Sequence, residues 1–316
     1  MGSVPIFPKV GFVGLGVMGA PMATHLSKAG YELTLYDIDS EATRRLADFG
    51  AVAGSPAEVA GRSDIVITML PNGEVVQQVA LGERGLVHGF KRGALLLDTS
   101  SSEPWITRKT GVALKERGVA MVDAPVSGAQ WGAQAAELVF MVGGAEQDLE
   151  RVRPLLDCMG RKVFHLGDLG AGHAMKCLNN LITAMTLLTT SEGLAVGTRY
   201  GLDPAAMIDV LNESTGMSWV SQTHFRQRIL NRAFDDPFKL ELMVKDMGIA
   251  QDLARSLQTP VPASALGAQL WKQASEEAGP GASISELVRW VERTAGVEIR
   301  PRDTSPAAPT DRRPTR

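Results

Sequence analysis

Short apolar runs alternate with helical patterns through the first half of the chain, and the second half reads as helical throughout. Between Lys9 and Leu166 the apolar runs are VGFVG at 10–14, ELTLYD at 32–37, DIVITML at 64–70 and ALLLD at 94–98, followed by VAMVDAPV at 119–126, LVFMVGG at 138–144 and KVFHLG at 162–167. They are rich in Val, Ile and Leu and lack strict apolar–polar alternation, the pattern of strands covered on both faces in a parallel sheet. Helical segments such as APMATHLSKAG lie between the early runs, and this one ends at Gly30, a residue suited to a left-handed stop. Strand and helix in alternation predict a doubly wound α/β domain over residues 1–170.

After Gly172 the strand signals vanish. Helical patterns cover 173–199, 204–213, 240–258 and 284–295, punctuated by Pro204, Pro237, Pro260, Pro262 and Gly279-Pro280-Gly281. An all-helical second domain over 171–298, opening with a long interdomain helix, is the expectation. The segment PRDTSPAAPTDRRPTR has almost nothing to bury, so 299–316 reads as a disordered tail. No internal repeat is visible.

Composition narrows the function classes. At 316 residues the chain is long for one domain, and 44% hydrophobic with 21% charged residues is a globular balance. A net charge of −3 gives no overall basic field for nucleic acid or anionic lipid. MGSVPIFP has neither the basic start nor the apolar run of a secretory signal. The apolar stretch after Lys176 is broken by Asn179, Asn180 and threonines, short of the roughly 18 to 20 apolar residues of a membrane span. Two cysteines, Cys158 and Cys177, lack metal-ligand spacing and suit reduced thiols in a cytoplasmic protein.

The first chemical motif is Gly14-Leu15-Gly16-Val17-Met18-Gly19, placed between the first strand and the first helix. In a dinucleotide-binding turn of the Rossmann type, the first glycine allows the tight turn and the second lets backbone approach the pyrophosphate. The third lets helix pack on strand, and the phosphates sit at the helix N-terminus. Asp37 ends the next strand, 18 positions after Gly19. A carboxylate there accepts hydrogen bonds from the adenosine ribose diol and repels a 2′-phosphate, so NAD is expected over NADP. Arg44 and Arg45 follow closely but read as a solvated helix face.

The second motif is Lys176, Asn179 and Asn180, at i, i+3 and i+4 on one face of a helix that is otherwise apolar nearly all round. A lysine there must be paired or face a polar cleft. The bland reading is a lysine snorkelling to water from a helix end. The functional one is an amine whose pKa is lowered by desolvation, able to take and return a hydroxyl proton, with Asn180 holding it or the reacting oxygen. No metal is implied, because no His, Cys and carboxylate cluster has ligand spacing.

At this point four blocks resemble the β-hydroxyacid dehydrogenase family, the 3-hydroxyisobutyrate dehydrogenases, tartronate semialdehyde reductases and their relatives. They are GFVGLGVMGAPMATHL, LLLDTSS, DAPVSGAQWGAQAAELVFMVGG and GAGHAMKCLNN, with PFKLELMVKDMGIA as a weaker fifth. The resemblance implies that Lys176 is the catalytic lysine and Asn180 its companion. Ser127, Gly128 and Ala129 would form the loop that holds the substrate carboxylate, and oriented N–H groups in such a turn do make an anion nest. Leu70, Pro71 and Thr99 would line the cofactor, Lys245 would contact it, and Phe238 and Asp246 would close the cleft. The implied reaction moves hydride between NAD and the alcohol carbon of a small 3-hydroxy carboxylic acid, or the matching semialdehyde. The alternatives are imine reduction on the same fold, whose enzymes tend to carry a different proton donor at the position of Lys176, and a non-catalytic dinucleotide-binding protein. A homodimer or homotetramer is the expected assembly.

The chain also departs from that family's pattern. Ala129 stands where a second glycine is usual, and Ala136-Glu137 where Gly-Thr or Gly-Asn is usual. His25 replaces an asparagine, and Gln130-Trp131 sets two bulky groups beside the carboxylate loop. A methyl group at position 129 is comfortable only if that residue avoids positive φ.

Overall fold

The protein is represented by a computed structural model that describes residues 7–301. The first part runs β1 (Val10–Val13), α1 (Gly19–Lys28), β2 (Leu33–Tyr36), α2 (Ser40–Arg45), β3 (Ala51–Val52), α3 (Pro56–Gly61), β4 (Ile65–Thr68), α4 (Gly73–Leu81) and β5 (Leu95–Asp98). It continues with α5 (Pro104–Glu116), β6 (Ala120–Asp123), β7 (Val126–Ser127), α6 (Ala129–Ala135), β8 (Leu138–Val142), α7 (Glu146–Met159) and β9 (Gly160–His165). Then come α8 (Ala171–Tyr200), α9 (Pro204–Asn212), a π-helical segment at Val220–Ile229, α10 (Leu240–Ser256), α11 (Pro262–Ala278) and α12 (Glu286–Ala295).

Six strands form one parallel sheet in the order β3-β2-β1-β4-β5-β6. That is the doubly wound Rossmann order, and it reverses between β1 and β4, where the strand ends open a crevice for a ligand. The sheet is covered on both faces, as the unalternating strands predict. Ile65, Ile67, Leu95 and Leu97 pack with Leu26 of α1 and Leu149 and Val152 of α7. Their neighbours Val66 and Leu96 pack on the other face with Val59 of α3 and Leu114 of α5. A smaller sheet, β7-β8-β9, follows, with β7 antiparallel and β9 parallel to β8.

The described chain forms two compact units. One holds residues up to Leu181 together with Lys245–Val261, and the other holds Ile182–Val244 with the residues from Pro262 onward. The second unit is helical, apart from an isolated β-bridge between Lys239 and Ser283, and buries Trp271 completely, with its indole N–H on the Ala184 carbonyl at 3.2 Å. Three elements go beyond the pattern reading: the edge strand β3, the π-helical segment and α11. The segment read as a tail from 299 is described only at its start. Ile299 is fully buried and its N–H donates to Glu292 Oε1 at 2.7 Å, while the rest of that segment, 302–316, lies outside the described residues. Among the described residues no helix is long and apolar enough to cross a membrane.

Candidate active site

The glycine turn has the geometry a pyrophosphate needs. Gly14 adopts φ +97°, and a Cβ built there would meet the Met69 carbonyl oxygen. A Cβ on Gly19 would strike the Gly14 carbonyl oxygen, so α1 can begin against β1 only with glycine there. Gly16 is different: nothing lies within 4 Å of a Cβ on it. Its lack of a side chain serves no contact inside the protein and leaves room for something else, which is the role of the second glycine toward a diphosphate. Leu15, Val17 and Met18 complete the turn; Leu15 is buried and Val17 exposed.

Asp37 follows β2 and reaches back to this turn. Its Oδ2 accepts the Leu15 N–H at 2.6 Å, and its Oδ1 accepts the Asp39 N–H at 2.8 Å. Each carboxylate oxygen has a second lone pair, so the group still accepts from a ribose diol. The residues thus fit a bound dinucleotide at both its phosphates and its adenosine end.

Turns after β4 and β5 lie side by side. The Leu70 N–H donates to Ser100 Oγ at 2.9 Å, and the Thr99 hydroxyl donates to the Thr68 carbonyl at 2.7 Å. Thr99 is buried with its hydroxyl engaged, so what it offers at this edge is backbone. Lys245, from α10, donates to the Pro71 carbonyl at 3.2 Å and the Ser101 carbonyl at 2.7 Å, joining the two turns.

Lys176 sits half-buried one turn into α8. Its surroundings desolvate it and hold its pKa below the ordinary lysine value; the Asp246 carboxylate pulls the other way, and the Lys245 charge adds to the lowering. Asp246 is almost fully buried, with Oδ2 accepting from Asn180 Nδ2 at 2.5 Å and Oδ1 3.2 Å from Lys245 Nζ. Asn180 in turn accepts from Asn179 Nδ2 at 3.2 Å. Lys176, Asn180, Lys245 and Asp246 therefore form one cluster. Asp246 is enclosed by these neighbours. Phe238 belongs to the second unit, where its N–H donates to Asp236 Oδ1 and its carbonyl accepts from Ile284.

Ser127 ends β7, Gly128 follows at φ +134°, and Ala129 opens α6 at φ +52°. Ala129 thus occupies the left-handed region that its methyl group disfavours. Ala136, at the other end of α6, is also left-handed, at φ +56°. Between them His25 Nε2 lies 3.1 Å from the Ala133 carbonyl and 3.0 Å from the Gln134 carbonyl, donating to the C-terminal end of α6 from α1.

Sequence reasoning missed one cluster. His173, three residues before Lys176, is fully buried with Asp98 and Asp123 near its ring, Thr107 at Nδ1 and the Ser100 carbonyl at Nε2. The available signal was an aspartate at the end of each of two adjacent strands and a histidine one turn from the lysine.

Residues 9–167 match the family described as the NAD binding domain of 6-phosphogluconate dehydrogenase, and residues 170–291 match the NAD-binding region of NADP-dependent 3-hydroxyisobutyrate dehydrogenase. Mitochondrial 3-hydroxyisobutyrate dehydrogenase of Mus musculus is 38% identical over 83% of this chain and 81% of its own length. The chain belongs to the β-hydroxyacid dehydrogenase family. Among other members, the NAD-dependent L-serine dehydrogenase of Pseudomonas aeruginosa is 38% identical, covering 84% of this chain and 91% of that one. The structure of Mycobacterium tuberculosis 3-hydroxyisobutyrate dehydrogenase with L-serine superposes with a TM-score of 0.85 at 31% identity, over 90% of this chain and 99% of that one. This family member accordingly carries an NAD(P)-binding domain, and its relatives are oxidoreductases.

Proposed function

We propose that this protein is an NAD-dependent dehydrogenase of small 3-hydroxy carboxylic acids, with Lys176 as its general acid and base. The supporting observation is the cluster at Lys176: a desolvated amine, one turn from an asparagine locked by a buried carboxylate, in the same unit as the glycine turn. A lowered pKa leaves a larger neutral fraction near working pH, which a base needs. 3-Hydroxyisobutyrate and L-serine, the compounds named for the relatives, both carry a primary alcohol one carbon beyond the carbon bearing the carboxylate. That shared core is the substrate class proposed for this chain.

NAD, when bound, accepts or returns the hydride. The protein's own groups do the rest. Ser127 with the N–H groups around Gly128 and Ala129 holds the substrate carboxylate, and Asn180 steadies the reacting oxygen. Lys176 takes the hydroxyl proton in oxidation and returns it in reduction. Asp37 favours the cofactor without a 2′-phosphate. Lys245 keeps the Leu70–Pro71 and Thr99–Ser101 turns together, and these turns would line the cofactor. Residues 1–170 and 171–298 serve as the cofactor-binding and the substrate and assembly halves.

A homodimer or homotetramer in the cytoplasm is proposed with this activity. Its support is the exposure of Ile182, Val196 and Tyr200 on α8 and Val210 on α9, apolar surface that a second copy would cover.

The test is NADH formation from a panel of 3-hydroxy acids at mildly alkaline pH, with wild type and Lys176→Ala. Turnover by wild type and its loss by about 10²–10⁴-fold in the variant, with NADH binding kept, is the expected result. Equal turnover in the variant would refute the assignment of Lys176.

A further inference from the structure

The buried ring of His173 joins three elements. Nδ1 lies 2.8 Å from the Thr107 hydroxyl of α5, and Nε2 lies 3.1 Å from the Ser100 carbonyl in the turn after β5. A carbonyl oxygen only accepts, so Nε2 carries a hydrogen. Ser100 is itself the acceptor for the Leu70 N–H, and the neighbouring Ser101 carbonyl accepts from Lys245. One imidazole therefore connects the helix carrying Lys176 to the pair of turns that Lys245 ties together.

Two carboxylates brace this joint from the strand ends. Asp98, fully buried, accepts from the Thr68 hydroxyl at 2.9 Å, the Ser100 N–H at 3.1 Å and the Ser102 hydroxyl at 3.1 Å. Asp123, also fully buried, accepts from the Gly170 N–H at 2.6 Å and the His173 N–H at 2.8 Å. These are two of the N–H groups that the start of α8 cannot satisfy within the helix, so Asp123 caps α8 from β6. The first turn of α8 is thus fixed in place by Asp123 through its backbone and by His173 through its side chain.

We propose that His173 is a positioning residue, which sets the distance between the Lys176 amine and the turns lining the nicotinamide. The proposal rests on the reading of Lys176 given above. His173 and Lys176 are three residues apart and share a helix face, so a shift of the ring against Ser100 moves the amine with it. Displacement of a reacting group by about 1 Å can cost about 10²-fold in rate. Replacing the ring with an apolar side chain would leave the Ser100 carbonyl without its partner and free the α8 start from the turn.

The test compares His173→Gln, His173→Leu and Thr107→Val with wild type in the full-length protein. A glutamine amide can donate to the Ser100 carbonyl and accept from Thr107, so it restores the joint; leucine cannot. Rates are taken with the best 3-hydroxy acid substrate of wild type and normalised to NADH sites counted by fluorescence titration. His173→Leu is expected to lose about 10²-fold in kcat per NADH site with the KM for the acid changed by less than about threefold. His173→Gln should keep most of the rate. Thr107→Val, which leaves the Ser100 contact, should lose less than His173→Leu in the same direction.

A structural role alone would lower the melting temperature and the number of NADH sites but leave the rate per site unchanged, and that outcome overturns the proposal. So does a glutamine variant as impaired as leucine. If wild type turns over no acid on the panel, the Lys176 reading fails separately. The NADH titration then still decides on His173, because a turn released from α8 should weaken NADH binding in His173→Leu and not in His173→Gln. Equal NADH affinity in the two variants would reject the joint.

Discussion

Asp246 accepts a hydrogen bond from Asn180 at 2.5 Å while its other oxygen stands 3.2 Å from Lys245. One buried carboxylate therefore orients an amide and neutralises a lysine, and it also draws the Lys176 pKa upward against desolvation. Removing the charge but keeping the shape, as in Asp246→Asn, removes that upward pull. In oxidation, where the neutral amine is the base, the acid limb of the kcat/KM profile should move to lower pH. A limb that stays in place, or moves up, would show that Asp246 does not act on the amine.

Lys176 also carries a cost in stability. Its folded pKa lies below the ordinary value of 10.5. A group depressed in this way contributes its stability above the unfolded pKa and loses it as pH falls through the folded one. The native state therefore binds this proton less readily than the unfolded chain does, and burying the amine costs stability below pH 10.5. Lys176→Met should melt at a higher temperature than wild type at neutral pH, with the gap narrowing as pH rises toward 10.5, while turnover is lost. Asp246 keeps Lys245 and Asn180 as partners in that variant, so no buried charge is stranded. Thermal melts at several pH values check the trend.

Gly16 separates folding from cofactor binding. A methyl group there meets nothing within 4 Å, so Gly16→Ala should fold with an unchanged melting temperature. The same methyl projects where the diphosphate backbone approaches, and NADH affinity should drop by at least about tenfold, or about 1.4 kcal/mol. Calorimetric titration of NADH into the variant decides it. Gly19→Ala should instead destabilise the fold, since its methyl collides with the Gly14 carbonyl.

Asp37 governs the choice of dinucleotide. In Asp37→Asn the amide oxygen can still accept the Leu15 N–H, so the turn is kept while the charge that repels a 2′-phosphate is gone. The NAD-to-NADP ratio of kcat/KM should fall by about 10- to 100-fold, the worth of a charge-assisted hydrogen bond. An unchanged ratio would place the discrimination elsewhere, with Arg44 and Arg45 the next residues to test.

The parts of this molecule that were legible in the sequence are those whose signals are local. The glycine turn, the buried strands and the lysine–asparagine stripe each sit within a few residues. β3 was missed because it is two exposed residues at the sheet edge. α11 was missed because Pro262 reads as a breaker, yet proline at the first helical position gives up an N–H that has no partner there anyway. The His173 joint was invisible because its partners Thr107 and Ser100 lie 66 and 73 residues away. Folding, and not spacing, brings them together.

The two alanines that bound α6 carry backbone strain beside the substrate loop. Ala129 at φ +52° and Ala136 at φ +56° occupy the region where a Cβ crowds the carbonyl oxygen. Ala136 is the residue just past the helix end, where glycine makes the common left-handed cap. Each Ala→Gly change should therefore stabilise the protein, by about 1 kcal/mol, since relief of the strain outweighs the added freedom of the unfolded chain. The two sites should differ in function. Ala136→Gly, outside the Ser127–Ala129 loop itself, should leave KM for the acid unchanged. Ala129→Gly reshapes the loop itself and should change that KM, with kcat affected less because Lys176 does not move. Denaturant titrations and steady-state kinetics of both variants distinguish strain that only weakens the fold from strain that shapes the pocket. A destabilised Ala129→Gly would mean that the left-handed alanine is held by contacts of its methyl group and is not strained.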